Sequence, residues 1–256
     1  MVVDAVVVIG AVVVGLCFGS FLNVCILRLP HDQSLLRPRS TCPKCKQPIA
    51  WRDNIPVVSW LWLRGKCRWC HKAISVQYPV IEALVGLLFG VSVLAYGASL
   101  HAVSAAVFGT LLLGIAITDA RHYLIPDEFS LGGLVLGLAL ALGGGVPGFL
   151  QALLGAAVGF ALLWGVAKVG AWVFKEEAMG GGDIKMMAMV GSFVGWRGVL
   201  LTVFAGAALG SLIFVPLSIK KKRLVPFGVF LAVGAAVTFV FGDAILAWYG
   251  HFLQGD

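Results

Sequence analysis

Charge is scarce in this chain. Of 256 residues only 12% are Asp, Glu, Lys or Arg while 60% are apolar, where a soluble domain runs nearer a quarter charged and half apolar. The shortage excludes an ordinary water-soluble globule, and the apolar content excludes an intrinsically disordered chain. No Lys or Arg precedes the first apolar run, residues 4–27. A cleaved signal peptide needs a basic start and a small-residue cleavage site, so this run reads as a retained helix with its N-terminus outside. Strands alternating with helices around a glycine-rich turn are missing, which excludes a separate Rossmann nucleotide-binding unit. No convincing self-similarity relates the two halves, so the inverted repeats that would favour a small transporter are also missing.

What is present is a series of long apolar runs, and mean hydropathy is +0.97. After a polar stretch at 28–78 they recur at 79–98, 100–118, 129–146, 149–174, 184–196, 198–218 and 226–250, separated by Gly, Pro or charged breaks. Roughly twenty apolar residues cross a bilayer as a helix, so the expected fold is an all-α polytopic membrane protein of about eight transmembrane helices. The 184–196 run is short for a full crossing and reads as tilted or partly re-entrant. The expected organisation is a first transmembrane helix at 1–27, a small polar domain at 28–78 and a seven-helix membrane domain at 79–256.

The net charge is +7, and its distribution explains it. With an outside N-terminus, 28–78, 119–128, 175–183 and 219–225 fall on one side. Eighteen of the nineteen Lys and Arg residues lie in or next to those loops, and only Arg197 faces the other way. This bias matches the positive-inside rule and makes those loops cytoplasmic. The Lys220–Arg223 cluster then reads as a topology anchor at the lipid surface, and nucleic acid is not the expected partner.

Four of six cysteines form Cys42-Pro-Lys-Cys45 and Cys67-Arg-Trp-Cys70. Two such turns present four thiolates to one tetrahedral ion, a closed structural site with no open position for chemistry. On a reducing cytoplasmic side, zinc or a similar thiophilic metal is expected over disulfides. A domain this small has little core, so metal binding would contribute much of its folding free energy. His71 reads as a bystander. Cys17 and Cys25, inside the first run, read as packing residues beside Gly19, Ser20 and Asn23, a small and polar helix-contact face. Asn23 and Arg28 are also candidates for a binding surface at the cytoplasmic mouth.

The twelve acidic residues are few enough to weigh one by one. Asp119 closes the apolar run ending Ile117-Thr118. Asp183 follows Gly180-Gly181-Gly182 where the next run begins. A carboxylate at the end of an apolar helix is costly to ionise and usually pairs or works. Glycines at 180–182 let a substrate strand lie close beside Asp183, although a plain helix-entry loop with Asp183 as cap has the same residues. Two carboxylates sharing a site do not both ionise easily, so one stays protonated while the other activates water. Glu82, Glu128, Glu176 and Glu177 sit near the same edge and could attract a cationic substrate segment, although a plain solvated face has the same residues.

Several ordered motifs then coincide. Gly19-Ser20-Phe21-Leu22-Asn23-Val24 with Arg28-Leu29-Pro30 comes first, followed by the paired CxxC and Gln77-Tyr78-Pro79-Val80-Ile81-Glu82. Asp119 with Ile125-Pro126-Asp127, Gly180-Gly181-Gly182-Asp183-Ile184-Lys185 and Pro226-Phe227-Gly228 complete the set. Together they resemble the bacterial type IV prepilin leader peptidases over nearly the whole chain. The resemblance implies a GxGD-type aspartic peptidase of the bacterial inner membrane whose active site faces the cytoplasm. It would cut the basic leader from prepilins and type II secretion pseudopilins. It also implies N-methylation of the new N-terminus with S-adenosylmethionine. It places the catalytic pair on Asp119 and Asp183, with Gly180, Gly182 and Lys185 in support and Asp127 outside the pair. Glu82, Glu176, Glu177 and Asn23 are the candidate substrate-binding residues. A peptidase without methyl transfer is the nearest alternative. A transporter with a zinc-bound regulatory loop, using both aspartates as ion sites, is the alternative from another class.

Overall fold

The computed structural model describes residues 4–37, 39–176, 179–218 and 226–254. Glu177 and the Lys220–Arg223 cluster lie outside them. The described chain is helical, with α1 (Ala5–Arg28), a short α2 (Val58–Trp62), α3 (Gln77–Tyr96), α4 (Leu100–His122), α5 (Asp127–Ala141), α6 (Gly145–Phe174), α7 (Gly181–Ser218) and α8 (Phe227–Gln254). In place of strands, the described residues have two isolated bridges, Thr41 with Pro48 and Lys66 with Ala73.

Local sequence sets the helix ends. The Asp4 side chain accepts from the Val6 N–H at 3.1 Å and caps α1, and Ser99 Oγ accepts from the Ala102 N–H at 3.2 Å at the start of α4. Each cap satisfies a donor that the first helical turn leaves open. Pro126 precedes α5, with Asp127 and Glu128 in its first turn, where the helix dipole favours negative charge.

Among the described residues, six helical stretches are long and apolar enough to cross a membrane, where the sequence suggests about eight. The difference arises at 127–174 and 181–213, each counted as one stretch although each contains a break. Gly145 at φ +69 separates α5 from α6. Inside α7, Gly195 at φ 68, ψ 176 interrupts the helix where 184–196 meets 198–218. Both are left-handed or mirror-β conformations that glycine enters without steric cost.

The chain divides into two compact units, Met1–Thr110 and Leu111–Asp256. In the first, α1 packs along α3 at a seam of small residues. A Cβ on Gly19 would lie 2.6 Å from the Glu82 Cα, and one on Gly15 would lie 2.7 Å from the Val85 carbonyl oxygen. In the second, α7 is the central helix, packed on α5, α6 and α8. A Cβ on Gly155 would strike the Gly191 carbonyl, and one on Gly159 the Met187 carbonyl. Such close backbone approach is how helices associate in lipid, where apolar burial gives little driving force. Met186, Met187, Met189 and Val190, in the first turns of α7, are fully enclosed.

Candidate active site and candidate metal centre

In the second unit, three helix ends converge. Asp119 sits in the last turn of α4 and is 6% exposed. Its Oδ2 accepts the Val229 N–H at 3.1 Å, and the Gly228 N–H also bonds to this carboxylate. Both donors belong to the first turn of α8, whose unpaired N–H groups and dipole make it a natural anion cradle. Gly228 has a steric reason as well: a Cβ there would lie 2.9 Å from Asp119 Oδ2 and 2.9 Å from Ile125 Cδ1. Pro226-Phe227-Gly228 therefore ends the approach to α8 and leaves room for a carboxylate beside its N-terminus.

Asp183 lies in the first turn of α7 and is within electrostatic reach of Asp119. The structure thus brings together the two aspartates singled out by sequence. The preceding glycines differ in role. A Cβ on Gly180 would be 3.5 Å from Asp183 Oδ2, and one on Gly182 would press on Ile125 at 3.1 Å, while Gly181 has open space around it. Lys185 does not bond to either aspartate of the pair. Its Nζ bridges both oxygens of Asp127, at 2.7 and 2.8 Å. This ion pair ties the start of α5 to the start of α7 and neutralises Lys185.

Of the acidic residues suggested for attracting substrate, Glu176 is exposed beyond α6. Glu82 is not on a solvated face. It is 8% exposed, and its Oε2 accepts the Val57 N–H at 2.7 Å, with a further hydrogen bond to Ser20. Asn23, one turn after Gly19 on the facing helix, is 1% exposed. Its amide donates to the Gly19 carbonyl at 3.3 Å and the Tyr78 carbonyl at 3.1 Å. The Gly19-Ser20-Asn23 and Tyr78-Glu82 motifs are thus two sides of one seam.

The four cysteines converge in the first unit. All four Sγ atoms lie within 4.8 Å of one another, with Cys42 to Cys70 at 3.8 Å and Cys45 to Cys67 at 3.9 Å. Thiolates about 2.3 Å from a tetrahedral ion would stand about 3.8 Å apart, far beyond a disulfide bond, so the set fits one thiophilic metal ion. The Cys42 thiol is lowered to about 6, chiefly by the Cys45 backbone N–H and also by that of Lys44, against the effect of burial. That favours a thiolate at Cys42, while against the Gln47 backbone N–H, burial and the neighbouring thiols push Cys45 up to about 11, so one thiolate forms ahead of the others that a metal requires. His71 is not part of the cluster.

Each knuckle is built the same way, a regularity that the equal spacing of the CxxC pairs carries in the sequence. The Cys42 N–H bonds to the Gln47 carbonyl, the Lys46 N–H to Cys42 and the Ile49 N–H to Ser40. The Cys67 N–H bonds to Lys72, the His71 N–H to Cys67 and the Ile74 N–H to Gly65. Lys46 and His71 both take positive φ, at 61 and 54 degrees. Beside the second knuckle, Arg68 grips Asp53 through two hydrogen bonds of 2.7 and 2.5 Å. These bonds hold the Asp53 carboxyl below the usual carboxylate range.

Two family models and several relatives match the chain. Residues 13–96 match the bacterial peptidase A24 N-terminal domain, and residues 106–215 match the type IV leader peptidase family. A prepilin leader peptidase/N-methyltransferase of Myxococcus xanthus is 42% identical over 84% of this chain, which spans 64% of that relative's length. Proteins of the same name from Aeromonas salmonicida and Stutzerimonas stutzeri are 33% and 37% identical. They cover 91% and 96% of this chain, and 90% and 95% of their own lengths are matched. No solved structure matches the chain. With relatives this similar over nearly their full length, and both family domains in order, the chain belongs to the type IV prepilin leader peptidase family.

Proposed function

We propose that this protein is a multi-pass membrane endopeptidase that removes the leader from type IV prepilins and then N-methylates the new N-terminus, with Asp119 and Asp183 as the cleavage pair. The observation that carries the reading is the convergence of those two carboxylates at the ends of α4 and α7, one of them held by the N-terminus of α8. Two carboxylates at one site share a proton. The N–H donors at Asp119 suit the negatively charged partner, so Asp119 accepts the proton of a water molecule. That water attacks the scissile carbonyl while Asp183, protonated, donates toward the carbonyl oxygen. No covalent enzyme intermediate forms. Gly180 and Gly181, exposed before Asp183, leave space for the substrate backbone to approach.

The positive-inside bias supports an active site at the cytoplasmic edge of the bacterial inner membrane, where a basic leader remains while its apolar helix sits in lipid. Pseudopilins of type II secretion, with the same leader chemistry, are expected substrates. Zinc is the expected ion at the four cysteines, where it would hold the two knuckles together, and S-adenosylmethionine is the expected methyl donor.

The test is cleavage of a prepilin by purified enzyme with and without S-adenosylmethionine, followed by mass spectrometry of the product. The expected result is a leader-free product that gains one methyl group only when the donor is present. An uncut prepilin would overturn the peptidase reading, and a cut but never methylated product would leave a peptidase alone.

A further inference from the structure

The cleavage chemistry lies in the second unit and leaves a feature of the first unit unused. Between α1, the cysteine segment and α3 is a cavity of about 710 Å³, a size typical of small-molecule sites, about 300–1,000 Å³. Its buried polar groups include two acceptors. Asn23 Oδ1 has no hydrogen-bond partner although the residue is 1% exposed, a costly arrangement unless a ligand completes it. Glu82, one turn away along the same seam, takes its hydrogen bonds from the Val57 N–H and Ser20, neither of them charged. A carboxylate has lone pairs beyond those. Trp60 and Tyr78 also line the space. Of the basic residues on the same lining, Arg68 is paired with Asp53 and Arg28 donates to the Ser34 and Leu35 carbonyls, while Lys46 belongs to the first cysteine knuckle. A cation is therefore favoured locally, at the α1–α3 seam where the buried carboxylate and the unsatisfied amide oxygen lie.

We propose that this cavity is the methyl-transfer site, in which Glu82 and Asn23 Oδ1 receive the new N-terminal ammonium of the cleaved substrate beside a sulfonium methyl donor. The proposal rests on the methyl-transfer reading above and gives it a place and a base. An ammonium has no lone pair, so it first gives one proton to the Glu82 carboxylate. The freed nitrogen lone pair attacks the donor's methyl carbon. The N–C bond forms as the C–S bond breaks, and that electron pair stays on sulfur. The products are a neutral thioether and a secondary ammonium on the substrate, and Glu82 then releases its proton to water. Both reactants are cationic, which is why the site offers acceptors and ring faces.

The experiment uses the full-length enzyme, a synthetic mature pilin segment with a free N-terminus and S-adenosylmethionine, so that cleavage is not required. Glu82→Gln is expected to lower kcat for methyl transfer by about a hundredfold, with Kd for S-adenosylhomocysteine, measured by equilibrium dialysis, unchanged within about threefold. Glu82→Asp recovers part of kcat, and Asn23→Leu raises the KM for the segment. Ultraviolet cross-linking of labelled S-adenosylmethionine to the wild-type enzyme, mapped by mass spectrometry, is expected to mark peptides within 17–28 or 53–82. Methyl transfer by Glu82→Gln within about threefold of wild type, or a cross-link confined to 111–254, would overturn the assignment. If the wild type neither binds S-adenosylhomocysteine nor methylates the segment, the methyl-transfer reading itself falls; if the wild type does both and Glu82→Gln equals it, only the assignment of Glu82 falls.

Discussion

The two units of this protein hold their polar groups by different means. In residues 4–110 the cysteine cluster lies between helices, in a segment with almost no regular structure. Its order comes from two repeated knuckles, four sulfurs and the Arg68–Asp53 clamp. In residues 111–254 the polar groups sit at helix ends, and their positions follow from how closely the helices pack, with glycine on one backbone against carbonyls of another. The first arrangement offers four sulfurs to one ion and the second rests on helix termini, so damage to each should have a different signature.

The largest effects should separate the units cleanly. Asp119→Asn and Asp183→Asn should each lower leader cleavage by about a hundredfold or more, while metal content, measured by elemental analysis, stays at the wild-type value. The double variant Cys42→Ser with Cys45→Ser should do the reverse. It should lose the metal, and limited proteolysis should then open the 28–76 segment, because ion binding is coupled to folding. Retained metal in that variant would break the comparison.

Gly228→Ala sharpens it. The new Cβ would crowd Asp119 Oδ2 at 2.9 Å, and cleavage should fall by about tenfold, which is about 1.4 kcal/mol in the barrier, with circular dichroism unchanged. Asp127→Asn should be milder. It weakens a half-exposed pair with Lys185, and partly exposed pairs contribute little, so cleavage should fall by less than about fivefold. A loss as complete as that of Asp183→Asn would contradict the pairing assigned to Lys185.

The smallest effect concerns Asp53. Arg68 holds its carboxyl below the usual range, so the stabilisation is present above the ordinary aspartate value of about 3.9 and is lost as pH falls through the lowered folded value. The difference in proteolytic resistance of the 28–76 segment between wild type and Asp53→Asn should therefore hold steady from about pH 5 to 8 and vanish only in stronger acid.

Much of this was legible in the sequence, for identifiable reasons. Apolar run length marks helices whatever their partners, and CxxC spacing marks a metal knuckle because both ligands are local. Asp119 and Asp183 stood out because acids are scarce. Gly228 was visible only as part of a motif. Its reason is a contact with Asp119 across 109 positions of sequence, which no local periodicity encodes. In the sequence Glu82 is one acid among several near the membrane edge. Its helical face, shared with Ile81, Val85 and Gly86 and packed against Gly19, is what buries it. The interruption of α7 at Gly195 depends on a backbone angle that the residue allows but does not announce.

The central claim is that the aspartates at the ends of α4 and α7 form one cleavage centre. The direct measurement is the rate of prepilin cleavage by purified wild type, Asp119→Asn and Asp183→Asn under single-turnover conditions, with each variant's fold verified by circular dichroism and by prepilin binding. The account predicts that both variants bind prepilin and leave its leader uncut. A variant that cuts the leader at a rate near that of wild type would contradict it.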